Sequence, residues 1–270
     1  MSSSAPDAQK YTTKLHSKRI LIIGGTSGIG HCVAEACLEQ GATVILSSSQ
    51  PSRIESAIAR LLKPYPSATN RLSGHACDLA SPASAEENIE HLFAAVGQDS
   101  AGRKLDHVIS TAGDALATVP VATATLAQMQ AAGMVRFFGP LLIARFAPPW
   151  MNPGPAASIT LCTGSVAERP MPDWSIVASY AAGLYGMVRG LALDLKPLRV
   201  NLISPGAVKT ELWDKMPREA YRESERSMGE RSLTGRIGRP EDVAEAFVYA
   251  MRDENATGTV VGTNGGGLLV

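Results

Sequence analysis

Short, continuously apolar runs alternate along this chain with longer stretches whose apolar positions recur at helical spacing. Segments 19–23, 42–47, 71–77, 105–109, 158–162 and 198–203 read as strands. A run without polar alternation predicts a strand covered on both faces, as in a parallel sheet. Helices are predicted over 28–40, 82–96, 123–146 and 174–195, and a last one opens near Pro240, with proline at its start. Segment 211–232 is charged and helical, with Leu212, Trp213, Met216 and Met228 interspersed. Alternation of strand and helix predicts an α/β fold, a doubly wound parallel sheet with helices on both faces.

Composition narrows the class. A chain of 270 residues, 45% of them hydrophobic, can bury a full core as one domain of this type. Lys plus Arg and Asp plus Glu stand at 25 each, so no net charge points to nucleic acid or an anionic membrane. Residues 1–17 are polar without a signal core, and read as a disordered leader before a domain over 18–270. No apolar run is read as long enough to span a bilayer, so a soluble, cytoplasmic protein is expected. Cys32, Cys37, Cys77 and Cys162 show no metal-ligand spacing and the five histidines are scattered. Buried, unpaired thiols and no metal site are expected.

The strongest chemical signal is the junction between the first strand and the first helix, Gly24-Gly25-Thr26-Ser27-Gly28-Ile29-Gly30. Glycines at 24, 28 and 30 let the backbone turn sharply and approach a phosphate without a Cβ in the way. The first N–H groups of the helix and its dipole then favour an anion. A tight strand-to-helix turn alone is the plainer reading. The strand before it, the helix after it and the second strand favour a nucleotide-phosphate site.

The spacing G-x-x-x-G-x-G resembles the cofactor loop of the short-chain dehydrogenase/reductase family, and later segments extend the resemblance over nearly the whole chain. The resemblance implies one Rossmann-type domain binding NAD or NADP, with Gly24, Thr26, Ser27, Gly28, Ile29 and Gly30 at the phosphates. No carboxylate follows the second strand to accept a ribose 2′-OH. Ser48, Ser49 and Arg53 suit a 2′-phosphate instead, so NADP(H) is expected. Ser49 or Ser52 capping the next helix is the structural alternative, and both readings can hold. Asp78-Leu79 falls where the family contacts the adenine end, although Asp78 also reads as a cap for helix 82–96. Ser110-Thr111-Ala112-Gly113 resembles the family's N-N-A-G turn with hydroxyls for both asparagines, which assigns Ala112 and Gly113 to the cofactor. The segment Ser204-Pro205-Gly206-Ala207-Val208-Lys209-Thr210 resembles the stretch that holds the nicotinamide amide and the pyrophosphate. It assigns Pro205, Gly206, Val208 and Thr210. Residues 207–232 are then the substrate lid, with Trp213, Met216 and, from the helix at 174, Trp174 at the substrate. Packing onto the domain is the equal alternative.

The chain departs from the family at the chemistry. Arg136 stands three residues before Gly139-Pro140, where the family's tetrad carries asparagine. Gly164 falls at the serine position, Val177 at the tyrosine and Ala181 at the lysine of Y-x-x-x-K. Ser165, Tyr180 and Tyr185 remain as possible substitutes. A lost general acid sacrifices about 10²–10⁴-fold in rate, which disfavours an ordinary ketoreductase. An imine or iminium accepts hydride without an acid at oxygen and wants a carboxylate to stabilise its cation. Asp173 is the candidate carboxylate, its alternative being the N-cap of the helix at 174. Arg136 either binds a substrate carbonyl, orients Asp173 or forms a structural ion pair. Arg136 with Asp173 resembles the fungal indole-alkaloid reductases that double as Diels–Alderases, which implies a small-molecule alkaloid-like substrate. The resemblance to the wider family, whose helices corresponding to 123–146 and 174–195 commonly form the dimer or tetramer contact, implies a homo-dimer or homo-tetramer. A redox-neutral cyclase or isomerase using NADP structurally and a non-catalytic NADP-binding scaffold are the rival readings.

Overall fold

The apolar run Arg19–Ile23 forms β1, buried along its whole length. In the computed structural model, which describes residues 9–99, 102–213 and 217–270, β1 lies at the centre of the sheet. Ile20 pairs with Val44 of β2 (Thr43–Ser48) on one side and His107 of β4 (His107–Ser110) on the other. The remaining strands are β3 (Leu72–Ala76), β5 (Ser158–Cys162), β6 (Arg199–Pro205) and β7 (Val260–Thr263). All pairings are parallel, in the order β3-β2-β1-β4-β5-β6-β7. The order reverses between β1 and β4, and a crevice opens beyond the carboxyl ends of strands at such a point. β7 was not among the expected strands: its four residues are only partly covered, too short a pattern to read.

Helices α1 (Gly28–Glu39) and α2 (Pro51–Leu62) cover one face and α3 (Ala85–Gln98) the other. The expected helix 123–146 is instead α4 (Leu126–Gly133) and α5 (Gly139–Phe146), joined by one π-turn at Met134–Phe138. Thr125 and Gln128 close a capping box at its start, which places the N-terminus later than 123. The π-turn has a local cause. Pro140 has no N–H to give the Arg136 carbonyl, and the Gly139 N–H reaches back to Met134. α6 (Ser175–Asp194) joins α3 and α5 on their face, through Leu184 and Val188. α7 (Arg218–Glu230) follows the β6 crossover, and α8 (Pro240–Arg252) packs beside α1 through Ala244, Phe247 and Val248.

Two expectations need correction here. Residues 9–17, read as part of a disordered leader, form turns, and Leu15 is only 1% exposed in the core cluster beneath α1 and α8. The 20-residue α6 is long and apolar enough to cross a bilayer, contrary to the sequence reading, and Leu184 and Val188 on one of its faces pack in the core on the sheet.

Arg199 ties β6 to α8. Its guanidinium, in a residue 2% exposed, donates to the carbonyls of Pro155, Ala250, Met251 and Ala256 at 2.6–3.0 Å. Ala250 and Met251 lie in the last turn of α8, where a cation also meets the negative end of the helix dipole. Arg199→Leu leaves those buried acceptors without a donor. It is expected to cost about 3 kcal/mol and lower Tm by roughly 10 °C in a thermal melt.

Candidate functional site

The carboxyl ends of the strands share one rim, and the glycine turn lies at its centre. Gly24 adopts φ +91, and a Cβ there would lie 2.7 Å from the Cα of Ala112. A Cβ on Gly30 would overlap the Gly24 carbonyl and Thr111 Oγ1. Thr111, standing where the family has asparagine, donates to that same carbonyl at 3.1 Å and pins the turn to the end of β4. Ser27 is the N-cap of α1 with extended backbone and no side-chain cap bond. The Gly28 N–H instead donates to Glu211 Oε2 at 2.8 Å. Thr210 lies against Gly28, at 3.1 Å from the place of its Cβ. Thr26 is 7% exposed, and its carbonyl accepts from Arg60 at 2.6 Å. Ile29 packs against the core beneath α1 and α8. The rim therefore brings Gly24, Gly28, Gly30 and Thr210 together, and it adds Arg60, Thr111 and Glu211, which the sequence alone did not single out.

The neighbouring positions are partly as expected. Ser48 ends β2 half-buried, and Ser49 and Arg53 are exposed beside it. Neither Ser49 nor Ser52 caps α2: Gln50 is the N-cap and Pro51 the first helical residue. Asp78 does not cap α3, which starts later at Ala85; its Oδ1 accepts from the Ala80 N–H at 3.0 Å. The Leu79 side chain, 3% exposed, packs against Gly139 in the core. Pro205 ends β6, and Gly206 passes so close to Asn264 that a Cβ would lie 2.9 Å from its Cα. Val208 is 7% exposed, and its carbonyl takes the indole N–H of Trp213 at 2.8 Å. Trp213 lines a cavity of about 680 Å³ with Gly28, His31, Lys209, Glu211 and Tyr221, on the α1 side of the turn. Met216 lies outside the described residues.

Arg136 sits in the π-turn over Gly113, its Cζ 2.7 Å from the place of a Gly113 Cβ. Its partner is Asp114, whose Oδ1 accepts from Nε at 3.2 Å and whose carbonyl accepts from Nη2. Arg136 therefore does not pair with Asp173, as the sequence reading allowed. Asp114 directly follows the Ala112-Gly113 turn and was the overlooked carboxylate. Asp173 is exposed and takes φ +65, a left-handed conformation that Asp and Asn accept more readily than other side-chain residues. It is not the N-cap of α6; Trp174 is, without a side-chain cap bond. Trp174 is half-buried.

Gly164 follows β5 in extended backbone, 3.8 Å from the Pro205 carbonyl at the place of its Cβ. Ser165 opens a 3₁₀ turn. Val177 is buried, and the Ala181 carbonyl accepts from Thr163 Oγ1 at 3.0 Å. Tyr180 donates to the Met129 carbonyl at 3.1 Å, inside a ring cluster with Phe137 and Phe138. Tyr185 meets Glu168 at 2.5 Å and Ser204 Oγ at 3.0 Å. Burial and the Glu168 carboxylate both push its phenol pKa up, so the proton stays on oxygen. All four cysteines are free thiols, and burial pushes each up to about 12, which removes them as nucleophiles at neutral pH. Burial and Arg60 lower the pKa of His31, one turn into α1, and favour neutral imidazole.

The model of the SDR-like Rossmann domain matches residues 11–270. A short-chain dehydrogenase/reductase of Gibberella fujikuroi, fsr5, is 44% identical over 96% of this chain and 98% of its own. Its counterpart malC of Malbranchea aurantiaca is 41% identical over 94% and 96%. The solved MalC reductase/Diels-Alderase superposes with a TM-score of 0.89 at 40% identity, covering 96% of this chain and 100% of the other.

Proposed function

The chain belongs to the short-chain dehydrogenase/reductase family, and we propose that it is an NADPH-dependent reductase of an imine, iminium or similarly activated double bond. Its substrate is an alkaloid-like intermediate of secondary metabolism. The turn suits a dinucleotide: Gly24 and Gly30 let it close against the end of β4, where a Cβ would overlap Ala112, Thr111 or the turn itself, and a carboxylate already accepts the Gly28 N–H at the start of α1. Gly24, Thr26, Ser27, Gly28, Ile29, Gly30 and Thr210 would hold the phosphates, and Ser48, Ser49 and Arg53 the 2′-phosphate. Pro205, Gly206 and Val208 would flank the nicotinamide. NADPH, when bound, supplies the hydride.

What carries the reading is an intact glycine turn beside a β5–α6 wall that, at the family's tetrad positions, offers no titratable side chain, with the Ser165 hydroxyl unengaged among the described contacts. Gly164, Val177 and Ala181 have no titratable side chain, and the hydroxyls of Tyr180 and Tyr185 are engaged. A ketone needs a proton at oxygen as it is reduced; an iminium needs only its positive charge stabilised until it is neutralised. Asp173 offers that charge with no competing partner among the described contacts. Arg136, steadied by Asp114, offers a cation for a carbonyl elsewhere on the substrate. Likeness to a reductase/Diels-Alderase supports a second step in the same pocket, an intramolecular cycloaddition guided by shape, with Trp174 as one wall.

The test is direct. Purified protein is titrated with NADPH and NADH, then assayed for NADPH oxidation against imines, iminiums and ketones. Oxidation with imines and not ketones is the expected result, with NADPH bound at least tenfold tighter than NADH. Turnover of a substrate without nicotinamide oxidation would replace the reading with a redox-neutral cyclase.

A further inference from the structure

We propose that Glu211 is a built-in competitor for the cofactor's pyrophosphate, a carboxylate that must leave the glycine turn before the cofactor binds and that helps expel the cofactor afterwards. The proposal rests on the reading of the turn as the NADP site. Its observation is the bond between Glu211 Oε2 and the N–H of Gly28, the first residue of α1. That N–H points where a helix N-terminus receives an anion. Glu211 lies 183 residues away in sequence, in a short 3₁₀ turn beyond β6, so no local preference puts it there.

A carboxylate at this N–H does two things to an incoming diphosphate. It occupies the donor, and it sets a negative charge beside two more. The apparent affinity is then reduced by the fraction of molecules in which Glu211 sits on the turn. The device also couples the site to the segment after β6. Thr210 packs on Gly28, Trp213 donates to the Val208 carbonyl, and Lys209 pairs with Glu225 of α7 at 3.2 Å. When Glu211 leaves the turn, Lys209 and Arg218, which line the same cavity, offer it cationic partners. Cofactor binding and the position of residues 207–213 are therefore linked, and the link is reciprocal. Burial and Arg60 favour neutral His31 beneath the turn, so it does not offset the carboxylate's charge.

The test is Glu211→Gln, an isosteric change at an exposed residue, with Glu211→Ala in parallel and Tm as the control for folding. Binding of NADPH is measured by fluorescence, and binding of inorganic pyrophosphate by calorimetry. Both ligands are expected to bind roughly fivefold tighter to each variant, and NADP is expected to dissociate correspondingly slower. Hydrogen exchange of amides 207–213 is expected to change less on NADPH addition in the variants than in the wild type. Unchanged or weaker pyrophosphate affinity at unchanged Tm overturns the proposal. If the wild type binds pyrophosphate but not NADPH, the cofactor reading fails by itself, and the pyrophosphate titration still decides the role of Glu211.

Discussion

Asp173→Asn is expected to lower kcat for imine reduction by about 10²–10³-fold, the range seen when one preorganised charge-stabilising group is removed. NADPH affinity is expected to stay within twofold, because Asp173 lies outside the glycine turn. Asparagine is the informative choice. Asp173 holds φ +65, and Asn tolerates that conformation where Ala would add strain. The substitution removes charge while leaving the chain path and the start of α6 in place. A wild-type rate in the Asn variant would remove the electrostatic role and leave Arg136 with Asp114 as the charged pair to test next. The contrast between substrates adds a second reading. A cation-stabilising carboxylate matters most for an iminium, so the loss should shrink for a neutral acceptor.

Gly30→Ala is expected to weaken NADPH binding by at least about 100-fold and to cost about 2–3 kcal/mol of stability, the scale of overpacking a closed site. The new Cβ would overlap the Gly24 carbonyl, in the backbone of the turn, and Thr111 Oγ1, at the end of β4. The Thr111 hydroxyl can rotate away, but the Gly24 carbonyl is backbone and cannot retreat as a side chain would, so the turn must open and its N–H groups lose their common direction. Gly186→Ala is the matched control. Its Cβ meets nothing within 4 Å on the exposed side of α6, and replacing a helical glycine should stabilise by about 0.5–1 kcal/mol. A thermal melt with an NADPH titration for both variants separates the effect of the turn from the effect of glycine as such. Equal behaviour of the two would mean that the glycine turn is not the binding element.

Elements that depend on neighbours in sequence were legible before the fold was known. The buried parallel strands follow from uninterrupted apolar runs, because a strand covered on both faces has no polar side to alternate with. The glycine turn is local too, since positive φ and close approach are met within a few residues of chain. The residue types at Arg136, Gly164, Val177 and Ala181, on which the expected departure from the family rests, are likewise matters of sequence alone. Even the π-turn had its cause in view, the missing N–H of Pro140, although its effect on helix geometry was not read from it.

Partnerships were decided by the tertiary structure. Arg136 meets Asp114 because the π-turn leans over the end of β4, and nothing in the spacing favoured Asp114 over Asp173. Tyr185 loses its claim to be a free acid only when β6 brings Ser204 and the turn after β5 brings Glu168 to the same oxygen. Leu15 becomes core only once α1 and α8 make a floor for it. Glu211, after β6, reaches Gly28, after β1, although the two stand 183 residues apart in the chain. Hydrophobic pattern and backbone chemistry act along the chain, so one sequence carries them. Hydrogen bonds and ion pairs act through space over about 3 Å, and only the folded path determines which donor stands within that reach of which acceptor.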